Sequence, residues 1–189
     1  MADKKKEPRE ESTLEHARLK LASVREKLEN AAPQTMRKNI ARIRMTWQGD
    51  QRFETSRAGE AVTKVDGKGD AGQSPVDLLL TALSTCVSID VVEILMKRRT
   101  PVTRMEADVS GRRADTVPRR FTQIQLDFII DGEGIDRENA ERAIELSMTK
   151  YCSVHDSLAT DLRIDWSLCL NGEKGPQHVD PTRSQTVSQ

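Results

Sequence analysis

Two cysteines set out the chemistry open to this 189-residue chain. Cys86 lies inside a long apolar run, and Cys152 lies in Lys150-Tyr151-Cys152-Ser153-Val154. A thiolate is a nucleophile that oxidises reversibly to a sulfenic acid or a disulfide, whereas a thiol in apolar surroundings is simply a small hydrophobe. On residue type alone, both readings stand for both cysteines. Metal ligation is a third idea, because Cys152 and His155 are one helical turn apart. No second pair follows at ligand spacing, so Cys86 and Cys169 would have to be recruited singly, and no metal site is predicted. His155 by itself reads as a surface or hydrogen-bonded histidine rather than a base.

Glycines offer a second motif. Gly67-x-Gly69-x-x-Gly72 matches the dinucleotide fingerprint letter for letter. That motif needs its last glycine inside a helix that opens directly from a strand, within a strand–helix–strand unit. Here Ser74-Pro75 begins the next helix instead, so the glycines read as a surface loop and no nucleotide cofactor is expected.

The elements that must hold Cys86 and Cys152 follow from hydrophobic periodicity. Ser74 is an N-cap, Pro75 takes the first helical position, Asp77 completes a capping box, and Lys97-Arg98-Arg99 complement the carboxyl end of the dipole. The apolar residues between them, from Leu78 to Leu95, point all round the helix, which predicts a buried central element. Asp90 and Glu93 interrupt the run, so a transmembrane span is not expected. Before it, residues 39–65 predict three strands, with Ala41, Ile43, Met45 and Trp47 alternating ahead of a Gly49-Asp50 turn. After it come strands at about 102–113 and 120–131, a helix capped by Asp136 that runs to about 150, and a strand at 162–170 with Ile164, Trp166, Leu168 and Leu170 on one face. Residues 12–31 predict an amphipathic accessory helix, with Ser12 and Glu15 as a capping box and Leu14, Ala17, Leu21, Val24 and Leu28 as its stripe.

Composition bounds the organisation. Of the apolar residues, 54 fall in 39–171 and 14 in the flanks, which divides the chain into an N-terminal extension (1–38), one folded domain (39–171) and a tail expected to be disordered (172–189). The 30 basic and 30 acidic residues cancel, and there are six aromatics, so neither a nucleic-acid partner nor a base-stacking surface is expected. Residues 1–30 have no apolar core, which predicts the absence of a signal peptide and a cytoplasmic location. Three cysteines are too few for a secreted disulfide framework, so a disulfide would be transient or catalytic.

Ser74-Pro75-x-x-Leu78-Leu79-Leu80-x-Ala82-Leu83-x-x-Cys86, then Asp90-Val91-Val92 and a basic helix end, then the Cys152 segment, resemble the OsmC/Ohr family, and most closely its YhfA-like branch. The resemblance covers about residues 39–170. It implies an α+β, OsmC-like fold in which a bent antiparallel sheet wraps a long central helix, assembled as an intertwined homodimer. It further implies thiol-dependent reduction of organic hydroperoxides, with Cys86 as the peroxidatic cysteine, Cys152 as the resolving one, and an external thiol as reductant. A mid-helix cysteine gains nothing from the helix dipole, so a cation must come from elsewhere. In the peroxidase members this is an arginine after the first strand, held by a glutamate ten residues before the cysteine. Arg52 matches the arginine; the glutamate position is Val76, with Asp77 one residue later. The alternative from another class is a non-catalytic dimer that binds a small apolar ligand or senses oxidants.

Overall fold

The structure is a computed structural model that describes residues 40–57 and 60–183, together with Lys20 and Ser23, both helical. The accessory helix expected at 12–31 otherwise lies outside the described residues, as do residues 184–189. The chain divides into two compact units, one of residues 1–47 and 54–63, the other of residues 48–53 and 64–189.

Three short strands come first: β1 (Arg44–Trp47), β2 (Arg52–Ser56) and β3 (Thr63–Asp66), ordered β1-β2-β3 in one sheet. The expected Gly49-Asp50 turn is present, with φ of 94° and 52° at its two residues, and Arg52 N–H donates to the Gly49 carbonyl at 3.1 Å. Positive φ at consecutive positions is why Gly and Asp stand there.

Helix α1 (Pro75–Lys97) follows, opened by the predicted reciprocal box between Ser74 and Asp77. By length and composition α1 could cross a membrane. Leu83, Val87, Val91 and Leu95, one every four residues, are fully buried in the core. The expectation of burial all round is not met within the single chain, because Leu79, Ile89 and Met96 are exposed.

The second sheet supplies the other wall of that core. Its strands β4 (Arg104–Arg113), β5 (Phe121–Asp131), β6 (Arg163–Leu170) and β7 (Glu173–Val179) lie in the order β4-β5-β6-β7. Alternation holds on the inward face, where Ile124, Leu126, Phe128 and Ile130 of β5 adjoin Ile164, Trp166, Leu168 and Leu170 of β6, all buried. One expectation is corrected here: the sheet is mixed, because β5 and β6 are parallel while the outer pairs are antiparallel. The connection between β5 and β6 carries the helical segment α2 (Arg137–Leu146), a π-helical turn (Ser147–Tyr151) and α3 (Ser153–Asp156). A crossover of that length is what parallel pairing needs.

A second correction concerns 172–189. Residues 173–179, expected to be disordered, form β7. Asn171 and Gly172, both at positive φ (49° and 82°), make the two-residue turn that folds β7 back on β6. His178 stacks on Trp166 with ring centroids 4.0 Å apart, and Arg137 reaches across from α2 to donate to the Leu168 carbonyl at 3.2 Å and the Glu173 carbonyl at 2.7 Å. These cross-strand contacts order a strand whose own residues carry little apolar signal.

Candidate active site

Cys86 lies three residues beyond Leu83 and one before Val87, so it sits beside the buried stripe of α1, half-buried and packed against the core. The helix that ends near Leu146 would, by ordinary periodicity, run on past it. Instead Ser147–Tyr151 form a π-helical turn in which Cys152 N–H donates to the Ser147 carbonyl, five residues back, at 2.8 Å. The wider turn accommodates one more residue than an α-helical turn and ends the helix at Cys152, which is extended (φ −71°, ψ 100°). Asp90, one turn beyond Cys86, accepts a hydrogen bond from the Ser147 hydroxyl at 2.7 Å and so ties α1 to the start of this turn. Ser147 is fully buried. The carboxylate that the sequence places one turn from Cys86 is therefore committed to a hydroxyl.

The Cys152 sulfur lies within interaction range of the Cys86 sulfur. Cys152 is buried, and its thiol is pushed up to about 12 from an ordinary value of 9.0. Burial is the largest cause; the Cys86 sulfur, both as hydrogen-bonding neighbour and as a charge, adds to it. Cys152 also caps α3, its sulfur accepting the backbone N–H of His155 at 3.3 Å, which works in the opposite direction. At neutral pH Cys152 is thus a thiol. Beside it opens a cleft of about 320 Å³ lined by the π-helical turn and α3, including Lys150, Tyr151, Cys152 and Asp156. Tyr151 is exposed there, with the Lys150 ammonium 5.4 Å from its ring centroid.

Arg52 and Asp77 are engaged in different places. Arg52 follows the β1–β2 turn, and its charge acts on Asp66. Asp66 is buried at the end of β3, accepts the backbone N–H groups of Lys68 and Ala71 at 3.0 Å each, and is held below the usual carboxylate range first by the Lys68 N–H. The 66–73 glycine segment is thus a loop wound around a carboxylate. Asp77 serves the N-terminus of α1, where the Ser74 hydroxyl donates to it at 2.7 Å and lowers its pKa, with Arg113 as a nearby cation. Arg52 adds a smaller lowering influence on Asp66 through its charge, and no hydrogen bond or ion pair joins the two side chains.

Cys169 lies on β6 away from the apolar face, as its alternation with Arg163, Asp165 and Ser167 predicts. Among the described residues no group of three or more His, Cys, Asp or Glu side chains is arranged to hold a metal ion. His155 is part of a buried cluster with Asp180 and Arg183, which the sequence reading missed because it placed both partners in a disordered tail.

Comparison with known proteins shows the family to which this fold belongs. Protein YhfA of Escherichia coli strain K12 is 38% identical over 99 residues, covering 52% of this chain and 74% of that protein. A hypothetical protein from Aquifex aeolicus VF5 superposes with a TM-score of 0.61 at 24% identity, covering 69% of this chain and 97% of that one. The OsmC-like protein of Mycoplasma pneumoniae superposes with a TM-score of 0.61 at 16% identity, covering 69% and 96%. The family model for OsmC-like proteins matches residues 66–167, which run from the Asp66 loop through α1, the π-helical turn and Cys152 to β6. The fold is the α+β fold of that family, and the chain belongs to the OsmC-like proteins.

Proposed function

We propose that this protein reduces organic hydroperoxides through a cycle of Cys86 and Cys152. The observation that carries the reading is the pairing of a half-buried sulfur with a buried neighbour that is kept protonated. Cys152, raised to about 12, is a poor nucleophile at neutral pH, which leaves the attack to Cys86. The Cys86 thiolate attacks the distal oxygen of the hydroperoxide. The O–O bond breaks, an alkoxide leaves and takes up a proton to become the alcohol, and Cys86 is left as sulfenic acid. Cys152 then forms a bond to the Cys86 sulfur. The hydroxyl leaves with the Cys152 proton as water, and the product is a disulfide. An external dithiol returns both cysteines to thiols and is itself oxidised to a disulfide. The cleft beside Cys152 is the approach for the reducing thiol.

The working form we propose is a homodimer in the cytoplasm. Ile89 and Met96 on α1, 60% and 61% exposed in the single chain, form an apolar face that a second copy would cover. A monomer at micromolar concentration in sedimentation would contradict that part.

Intact-mass spectrometry after one equivalent of cumene hydroperoxide tests the chemistry. Wild type loses about two mass units as the disulfide forms, Cys152→Ser gains about one oxygen as sulfenic acid, and Cys86→Ser is inert. A wild-type protein that stays fully reduced, or a Cys86→Ser protein that reacts as fast as wild type, removes the peroxidase reading and leaves a ligand-binding or oxidant-sensing dimer.

A further inference from the structure

Two residues after β7, Asp180 and Arg183, form a buried polar cluster with His155. His155, Asp180 and Arg183 are 4%, 1% and 7% exposed. Groups of this kind are costly to bury unless paired, and here each is paired. Asp180 Oδ2 lies 2.5 Å from His155 Nε2, and Asp180 Oδ1 accepts the backbone N–H and hydroxyl of Thr182 at 2.9 and 2.7 Å. The Arg183 guanidinium donates through Nη1 to the carbonyls of Leu158 at 3.1 Å and Ala159 at 2.7 Å, and through Nη2 to the carbonyl of His155. Those carbonyls belong to the last turn of α3 and the residues just after it. The cluster therefore caps the C-terminal end of a helix whose N-terminal cap is Cys152.

α3 spans four residues, far too few to hold a helical turn unaided. Its order must be supplied at its ends. One end is the contact between the Cys152 sulfur and the His155 N–H; the other is Arg183 on the carbonyls. His155 joins the two, since its N–H holds the Cys152 sulfur, its ring meets Asp180 and its carbonyl meets Arg183.

We propose that Asp180 and Arg183 form a C-terminal latch that positions Cys152 for bond formation with Cys86, acting through His155 and α3. Both are positioning residues: neither contacts the peroxide or a sulfur. The proposal rests on the reading of Cys86 and Cys152 as a disulfide-forming pair. Releasing the latch leaves Cys86, on the separate helix α1, as reactive as before and slows closure of the pair.

The test uses the full chain as wild type, Arg183→Ala and Arg183→Lys. With cumene hydroperoxide, the rate at which the Cys86 thiol is consumed stays within about twofold of wild type in all three, while conversion of sulfenic acid to disulfide, followed by dimedone trapping, slows about tenfold to a hundredfold in Arg183→Ala. Arg183→Lys, which retains a donor for the carbonyls, recovers part of that loss. In a parallel arm, diamide accepts two electrons and two protons from the two thiols to close the same disulfide without peroxide, and shows the same order of rates. If peroxide leaves wild-type Cys86 reduced while the diamide order holds, the peroxidase reading fails and the latch stands. Closure in Arg183→Ala at the wild-type rate, or an equal slowing of Cys86 consumption and closure, overturns the latch. Hydrogen exchange on the wild-type protein covers the case of a variant that does not fold. The amides of residues 155–158 and those of 180 and 183 should open as one unit. Exchange more than about tenfold faster at 180 and 183 than at 155–158 would mean that the two segments are not coupled, and would overturn the proposal.

Discussion

Alkylation of Cys152 as a function of pH measures its environment directly. The structure raises this thiol from 9.0 to about 12, and each unit is a tenfold change in thiolate at a given pH below both values. At pH 8 an ordinary thiol is about one-tenth ionised and Cys152 about one part in ten thousand, so its alkylation should be about a thousandfold slower than in the unfolded chain. Iodoacetamide time courses, quenched and read on the tryptic peptide of residues 151–163, give the rate in buffer and in urea. In buffer the rate should keep climbing about tenfold per pH unit through pH 11, with no plateau near 9. Removing the neighbour in Cys86→Ser should raise the rate only in part, because burial, the larger cause, remains. The same shift bears on stability. A pKa raised on folding means that the folded chain holds the proton more tightly, so the contribution of Cys152 is fully present below pH 9 and is lost as pH rises from 9 towards 12. A plateau at or below pH 9, or a folded-to-unfolded rate ratio within tenfold, would refute the placement of Cys152 in a dry, thiol-paired site.

Three further outcomes follow from the packing. Leu83→Ala empties a fully buried position of the α1 stripe and should cost about 3 kcal/mol in denaturant unfolding, with both cysteines still alkylated at wild-type rates once folded. Burial pushes Asp180 up, but the hydrogen bonds from His155 and Thr182 outweigh it and hold the carboxyl below its ordinary 3.8; its contribution is present above that value and is lost as pH falls, so Asp180→Asn should flatten the acid limb of a stability-against-pH curve. His178 keeps a buried Nε2 without a hydrogen-bond partner, 3.6 Å from Glu141, while its ring stacks on Trp166. His178→Phe keeps the stack and removes the orphan, so thermal melts should show no loss and a gain of up to about 1 kcal/mol.

The parts of this fold that were legible in the sequence are those whose cause is local. The Ser74–Asp77 box needs four residues to state itself and appears as expected, as does the alternation of β5 and β6. The Gly49-Asp50 turn is legible from its residues, whereas Glu173–Val179 lack apolar alternation, so the equally strong Asn171-Gly172 signal does not by itself announce a strand. What orders that strand is distant in sequence: the Trp166 ring, the Arg137 guanidinium and Gln125, which accepts from Gln177 at 2.6 Å. At the site, Cys86 and Cys152 were nominated by residue type and resemblance, and the structure makes them neighbours. Asp77 caps the N-terminus of α1, a local role that its spacing from Ser74 makes legible. Parallel pairing of β5 and β6 leaves no mark on either strand; it is a property of the crossover between them.

The π-helical turn makes the spacing of the chain itself a functional variable. Cys152 meets Cys86 because Ser147–Tyr151 hold one residue more than an α-helical turn would, and each helical residue rotates the chain about 100° around the axis. Deleting a single residue anywhere in 147–151 would let the ladder revert to four-residue spacing and swing the cysteine away from α1, with every nominated side chain still in the sequence. Among relatives of this protein, a one-residue gap in that stretch would separate chains that place the two sulfurs side by side from chains that only carry them. Surveys that score the cysteines as present or absent would not see the difference.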